Sequence, residues 1–301
     1  MEKKTALKNL RRLFSALRSS NQIQGSTHRF YRYPARFHPD FVREAILSFS
    51  KPGDWILDPF MGGGTTIVEA VANNRKALGI DINSLSSFVT AAKTTPLSIM
   101  DRDTILRWFS RIQIKKAESK TSVGLDDSRI AKHASRIISY AIDELDSLSY
   151  PRQKYFVRCA LLRTGQWASE KGISWPSSKE IWDFLGNRIK DMFSELDEFI
   201  QTCKSENVFK NEITKRRLLL NRSVIGLEKE RQLKYLRGKI KLVVTSPPYP
   251  GVHIVYHRWQ VRGRKESRAP YLIADVQDGH YESYYTLGSR TPTGLRNYFD
   301  N

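Results

Sequence analysis

Cysteine is nearly absent from this chain: 301 residues contain two, Cys159 and Cys203, and the six histidines are scattered without a metal-ligand spacing. A disulfide framework or a zinc centre is therefore not expected. Acidic residues are also scarce, 31 against 50 lysines and arginines, for a formal net charge of +19. An excess of this size exerts a long-range attraction on polyanions and points to nucleic acid as a partner. No apolar run approaches the roughly 18 to 20 residues needed to span a bilayer, and no signal-peptide core is visible, so the expected location is intracellular. With 40% hydrophobic residues, the chain can bury one large core or two modest ones.

Two short segments stand out against this background. The β-branched run Lys241-Leu242-Val243-Val244-Thr245 ends abruptly in Ser246-Pro247-Pro248-Tyr249. It reads as a buried parallel strand whose carboxyl end opens into a ligand crevice. Far upstream, Asp54-Trp55-Ile56-Leu57-Asp58-Pro59-Phe60 runs into Met61-Gly62-Gly63-Gly64-Thr65-Thr66 and a helical pattern. Strand, glycine turn and helix together let the backbone approach a nucleotide-like ligand, with helix N–H groups facing the same crevice. A second strand, Lys76 to Ile82, carries Asp81 about twenty residues further on, where a carboxylate can accept hydrogen bonds from both ribose hydroxyls.

Taken together, these segments resemble the S-adenosylmethionine-dependent DNA amino-methyltransferases. The family's cofactor motif, Asp-Pro-Phe-x-Gly-x-Gly-Thr-Thr, matches Asp58 to Thr66, and its catalytic motif, Ser/Asn/Asp-Pro-Pro-Tyr/Phe, matches Ser246 to Tyr249. Tyr33-Pro34-Ala35-Arg36-Phe37-His38-Pro39 is similar to the family segment that closes over the cofactor methionine. The resemblance implies an α/β, Rossmann-like methyltransferase sheet. It also implies cofactor contacts from Phe37, His38, Pro39, Asp58, Pro59, Phe60, Gly62, Gly64, Thr65, Thr66 and Asp81, and catalysis by Ser246, Pro247, Pro248 and Tyr249. The expected cofactor is S-adenosyl-L-methionine, the expected partner double-stranded DNA, and the expected setting the cytoplasm of a prokaryote, beside a cognate restriction endonuclease. Serine at the first catalytic position favours cytosine N4 over adenine N6. Adenine N6, an RNA guanine amine, and an inactive or partner-dependent nucleic-acid-binding fragment remain the alternatives.

The rest of the chain divides into four parts around these motifs. Residues 1–27 form a basic amphipathic helix with Leu7, Leu10, Phe14 and Leu17 on its apolar face. Residues 28–98 hold the cofactor part, and 99–215 form a helical insertion, read as a possible target-recognition region. Helical stripes there include Ile105, Leu106, Phe109 and Ile112, then Ile130, Ile137, Ile138, Ala141 and Leu145, then a capped helix from Ser177 to Ile200. Residues 216–301 hold the catalytic part. Four strands are expected, near 54–60, 76–82, 217–223 and 241–246, so the sheet reads as incomplete at its C-terminal side, as in a truncated chain or one half of a split enzyme whose missing strands a second chain supplies. Asn221-Arg222-Ser223 lacks the acid with which many family members hold the cofactor adenine. Downstream, Arg258, Arg262, Arg264, Lys265 and Arg268 alternate with Tyr256, Trp259 and Tyr271, as a phosphate-tracking and base-stacking surface would.

Overall fold

Four parallel strands are laid side by side in the order β3-β2-β1-β4: β1 is Trp55–Asp58, β2 Lys76–Asp81, β3 Arg217–Asn221 and β4 Ile240–Val243. The computed structural model describes residues 2–18, 25–33, 36–115, 132–170, 175–247, 259–261 and 265–277. All four expected strands form, one to three residues shorter at their ends. The α/β reading therefore holds at the level of a parallel sheet with helices. Strand β4 follows β3 in sequence but pairs with β1, on the far side of β2, with Ile56 opposite Leu242 and Leu57 opposite Val243. The strand order thus reverses between β1 and β4, and open α/β sheets place their ligands outside the carboxyl ends of the strands at such a point.

Both faces of the strands are apolar because both are covered. On one face, Ile56, Ala77, Leu219 and Leu242 join a core built mainly by helices α2 (Pro39–Phe49), α3 (Thr65–Ala72), α4 (Ser84–Lys93), α5 (Ile99–Lys115), α6 (Lys132–Asp143), α7 (Pro151–Glu170) and α8 (Ser178–Ser205). On the other face, Leu57, Leu78, Ile80 and Leu220 pack beneath Leu227, Leu233 and Leu236 from short 3-10 turns.

The stretch 99–215 shares this core with the sheet. Phe30 meets Phe156 of α7 edge-on at 5.8 Å, and Phe156 stacks on Phe193 of α8 at 4.8 Å. Ser177 caps α8 with the expected capping box to Glu180. Helix α7, which carries Cys159, lies in the stretch expected to be helical; it buries residues around most of its circumference and so carries no simple apolar stripe. Ile130 lies outside the described residues.

The N-terminal helix α1 (Glu2–Leu17) forms and packs on α2, tied by the Arg12–Glu44 ion pair. Its orientation differs from a simple burial of its stripe. Leu13 and Ala16 are buried, whereas Leu7, Leu10, Phe14 and Leu17 are 46% to 58% exposed. Part of that stripe (Leu10, Phe14, Leu17) instead lines a groove of about 420 Å³ with Phe37, Phe41, Phe49 and Leu242 to Thr245. Among the described residues no helix is long and apolar enough to cross a membrane. Cys159 and Cys203 are buried free thiols, and burial pushes both up to about 12.

Candidate active site

The crevice at the carboxyl ends of β1, β2 and β4 begins with the glycine turn. Gly62 and Gly64 adopt φ of +47° and +74°, in the left-handed region that side chains disfavour, and Gly64 leads directly into α3. Beneath the turn lies Tyr33, against whose Cβ a side chain on Gly63 would come within 2.8 Å. Lys93, wholly buried, donates from Nζ to the Gly63 carbonyl at 2.6 Å, and burial lowers its pKa to about 7. The turn is therefore clamped from below by groups that local sequence patterns do not reveal.

Asp81 ends β2 beside this turn. Its Oδ2 accepts the Gly62 N–H at 2.8 Å and its Oδ1 the Asn83 N–H at 2.9 Å, while burial raises its pKa. Asn83, not Asp81, caps α4, accepting the Leu85 N–H at 3.0 Å. The Asn83 side chain also donates to the Tyr33 hydroxyl and accepts from the Tyr271 hydroxyl, each at 3.0 Å. Asn221 donates to the backbone carbonyls of Asp81 and Ile82, so the residue standing where an acid was expected fastens β3 to β2.

Asp58 ends β1 and is only 3% exposed. Its Oδ1 accepts the Thr245 hydroxyl at 2.7 Å and the Phe60 N–H at 3.2 Å. Burial lifts its pKa to about 6, against the hydrogen bonds from Thr245, Thr66 and Phe60 that favour the ionised form. Thr66, in the first turn of α3, donates to the Val244 carbonyl at 3.3 Å. Two side-chain ties thus join the glycine loop to the last residues before Ser246, which is half-buried with Pro247.

Other expected residues fall into three groups. Thr65 starts α3 and is buried; Pro59 and Phe60 form the bend after β1. Phe37 packs on Phe41 at 5.4 Å beside the end of β4, whereas His38 caps α2 through Nδ1 and Pro39 fills its first turn. Pro248, Tyr249, Tyr256, Arg258, Arg262 and Arg264 lie outside the described residues, as does the side chain of Lys265; Arg268 is exposed before α9 (Ala269–Ala274).

The stacking surface is corrected at two positions. Trp259 and Tyr271 are 4% and 2% exposed, and their polar atoms are satisfied internally: Trp259 Nε1 donates to the Tyr31 hydroxyl at 2.9 Å, and the Tyr271 hydroxyl donates to Asn83. Large rings with inward hydrogen-bonding partners gain more from the core than from solvent, so neither is available to stack on a base.

Residues 2–92 match a family model described as DNA methylase. The Type II methyltransferase M.MvaI of Kocuria varians is 43% identical over 74 residues, 24% of this chain and 16% of that protein. The orphan methyltransferase M.BamHII of Bacillus amyloliquefaciens is 40% identical over 83 residues, 27% of this chain and 31% of that protein. The DNA adenine methyltransferase YhdJ of Escherichia coli is 42% identical over 55 residues, 18% and 19% of the two chains. The chain thus spans less than a third of the length of these relatives. No solved structure matches.

Proposed function

We propose, from the match of residues 2–92 to the DNA methylases and the motifs shared with N4/N6-type amino-methyltransferases, that this chain methylates an exocyclic amine of a DNA base. The donor is S-adenosylmethionine, the expected target is cytosine N4, and the setting is restriction-modification, with a cognate endonuclease as partner. One observation carries the reading: the glycine turn and Ser246 meet at the point where the strand order reverses, joined by side-chain ties.

The residues present suit that cofactor. A carboxylate at the end of β2 and the amides at the start of α3 are complementary to a nucleoside with a charged tail. Asp81 keeps a lone pair for a ribose hydroxyl, since a carboxylate offers about four, of which two are taken by N–H groups and one faces the Ser86 hydroxyl. The bound cofactor supplies an electrophilic methyl on a sulfonium. The Ser246 hydroxyl and the Pro247 carbonyl accept the two amine N–H groups and hold the nitrogen lone pair toward that methyl. The bond made to nitrogen would be balanced by the C–S bond the bound cofactor gives up, its electron pair staying on sulfur, and the amine proton would pass to water. Positioning supplies most of the acceleration, and no group of raised pKa is needed as a base. Tyr249 stacks on the flipped base, and Arg258, Arg262, Arg264, Lys265 and Arg268 contact phosphate. The name of the E. coli relative favours adenine N6 as the second reading.

The expected result of a calorimetric titration with S-adenosylmethionine is one site per chain. Asp81→Ala should weaken it by about tenfold or more, corresponding to the loss of hydrogen bonds to a charged group. Wild-type affinity in that variant would remove Asp81 from the cofactor site.

A further inference from the structure

Asp58 and Thr66 were expected to face the cofactor, yet each makes a hydrogen-bonded tie to the strand that delivers Ser246. Val244 N–H still pairs with the Leu57 carbonyl at 3.0 Å, so β1 and β4 remain in register up to this point. Beyond it, prolines deny the chain further ladder hydrogen bonds. What holds the first residues of the catalytic loop is then the Thr66 hydroxyl on the Val244 carbonyl and the Thr245 hydroxyl on Asp58.

We infer that Thr245 is a positioning residue for methyl transfer: its hydroxyl, anchored on Asp58, fixes the distance between Ser246 and the glycine loop that cradles the donor. This rests on the methyltransferase reading. Residue 245 precedes the amine-holding serine directly, so a displacement there is passed on to it, and a misplacement of about 1 Å costs on the order of a hundredfold in rate. The anchor is one-sided. Asp58 is buried, Thr245 and Phe60 donate to it, and the charged group acting on it among the described residues is Asp81 at the end of the neighbouring strand. Taking the Thr245 hydroxyl away leaves a buried carboxylate with fewer donors and the loop without its anchor.

The test uses the full chain with three substitutions, Thr245→Val, Thr245→Ser and Asp58→Asn, read by kcat, KM for S-adenosylmethionine, the pH profile of kcat and amide hydrogen exchange. Thr245→Val should lower kcat by about ten- to a hundredfold with KM within about twofold. An acid limb is expected near pH 6 in the wild type, where Asp58 titrates, and Thr245→Val should move it to higher pH, since a donor to the ionised carboxylate is gone. Thr245→Ser should restore both, and Asp58→Asn should abolish the limb. In the valine variant the amide of Ser246 should exchange faster.

Wild-type kcat and pH profile in Thr245→Val would overturn the inference, as would equal losses in the valine and serine variants. If the wild type transfers no methyl group, the methyltransferase reading is what fails. The exchange measurement then decides the anchor by itself: unchanged protection at Ser246 in Thr245→Val overturns it.

Discussion

Gly64→Ala is expected to lower both the stability of the fold and the affinity for S-adenosylmethionine. At φ +74° an alanine pays the left-handed backbone penalty, about 1–2 kcal/mol. Its Cβ would also sit 2.3 Å from Thr90 Oγ1 and 2.7 Å from Thr90 Cγ2, on a threonine fully buried in α4. Relieving that contact means moving the helix, and overpacking of this kind costs about 1–3 kcal/mol. The combined cost, roughly 2–5 kcal/mol, is a large share of the 5–15 kcal/mol that holds a typical domain together. For a chain of this size it corresponds to a fall in Tm of about 5–15 °C. Because Gly64 also launches α3, the amides facing the donor shift with it, and affinity should fall by about tenfold or more. The double variant Gly64→Ala/Thr90→Ala should recover part of the steric cost, since the Cβ of residue 90 still stands 2.9 Å away, and leave the backbone part. A Tm within about 1 °C of the wild type would contradict the loop geometry.

Ser246→Ala is expected to reduce turnover by about two to three orders of magnitude while leaving the cofactor dissociation constant within about twofold. The magnitude follows from removing one preorganised hydrogen-bonding group aimed at the reacting centre. The selectivity follows from position: Ser246 lies past the end of β4, whereas the glycine turn, Tyr33 and Asp81 lie at β1 and β2. Single-turnover kinetics paired with equilibrium titration separates the two quantities. If Ser246→Ala weakens cofactor binding as much as Asp81→Ala does, the division of the crevice into a donor half and an amine half is wrong.

Much of this arrangement was legible in the chain because its signals are local. Short apolar runs marked all four strands, and three consecutive glycines between a strand and a helix marked the turn. Periodicity showed that α1 has an apolar stripe but not which side of the helix the protein uses. Its contact with α2 runs through Leu13 and Ala16, and the stripe faces a groove instead. Helix α7 falls in the stretch that reads as helical, but its bounds and buried face were not legible, because a helix buried nearly all round loses the contrast on which periodicity depends.

The residues that fasten the site were the least legible. Thr245 and Asp58 are 187 positions apart, Tyr271 and Asn83 188 apart, and Lys93 reaches back 30 residues to Gly63. Nothing in the local pattern of any of them announces a partner; only the strand order brings them together. The same holds for Trp259 and Tyr271, whose alternation with arginines suggested a stacking surface until the fold turned both rings inward.

The central claim is that this crevice moves a methyl group onto a base amine, and it is tested most directly by product chemistry. Purified chain would be incubated with isotopically labelled S-adenosylmethionine and, in parallel, unmethylated double-stranded DNA and RNA, then digested to nucleosides and analysed by mass spectrometry. The account predicts labelled N4-methylcytosine from DNA, with N6-methyladenine as the outcome that changes only the base. Label confined to RNA, or on a ring carbon, or no label from a chain that is folded and binds the cofactor, would contradict it.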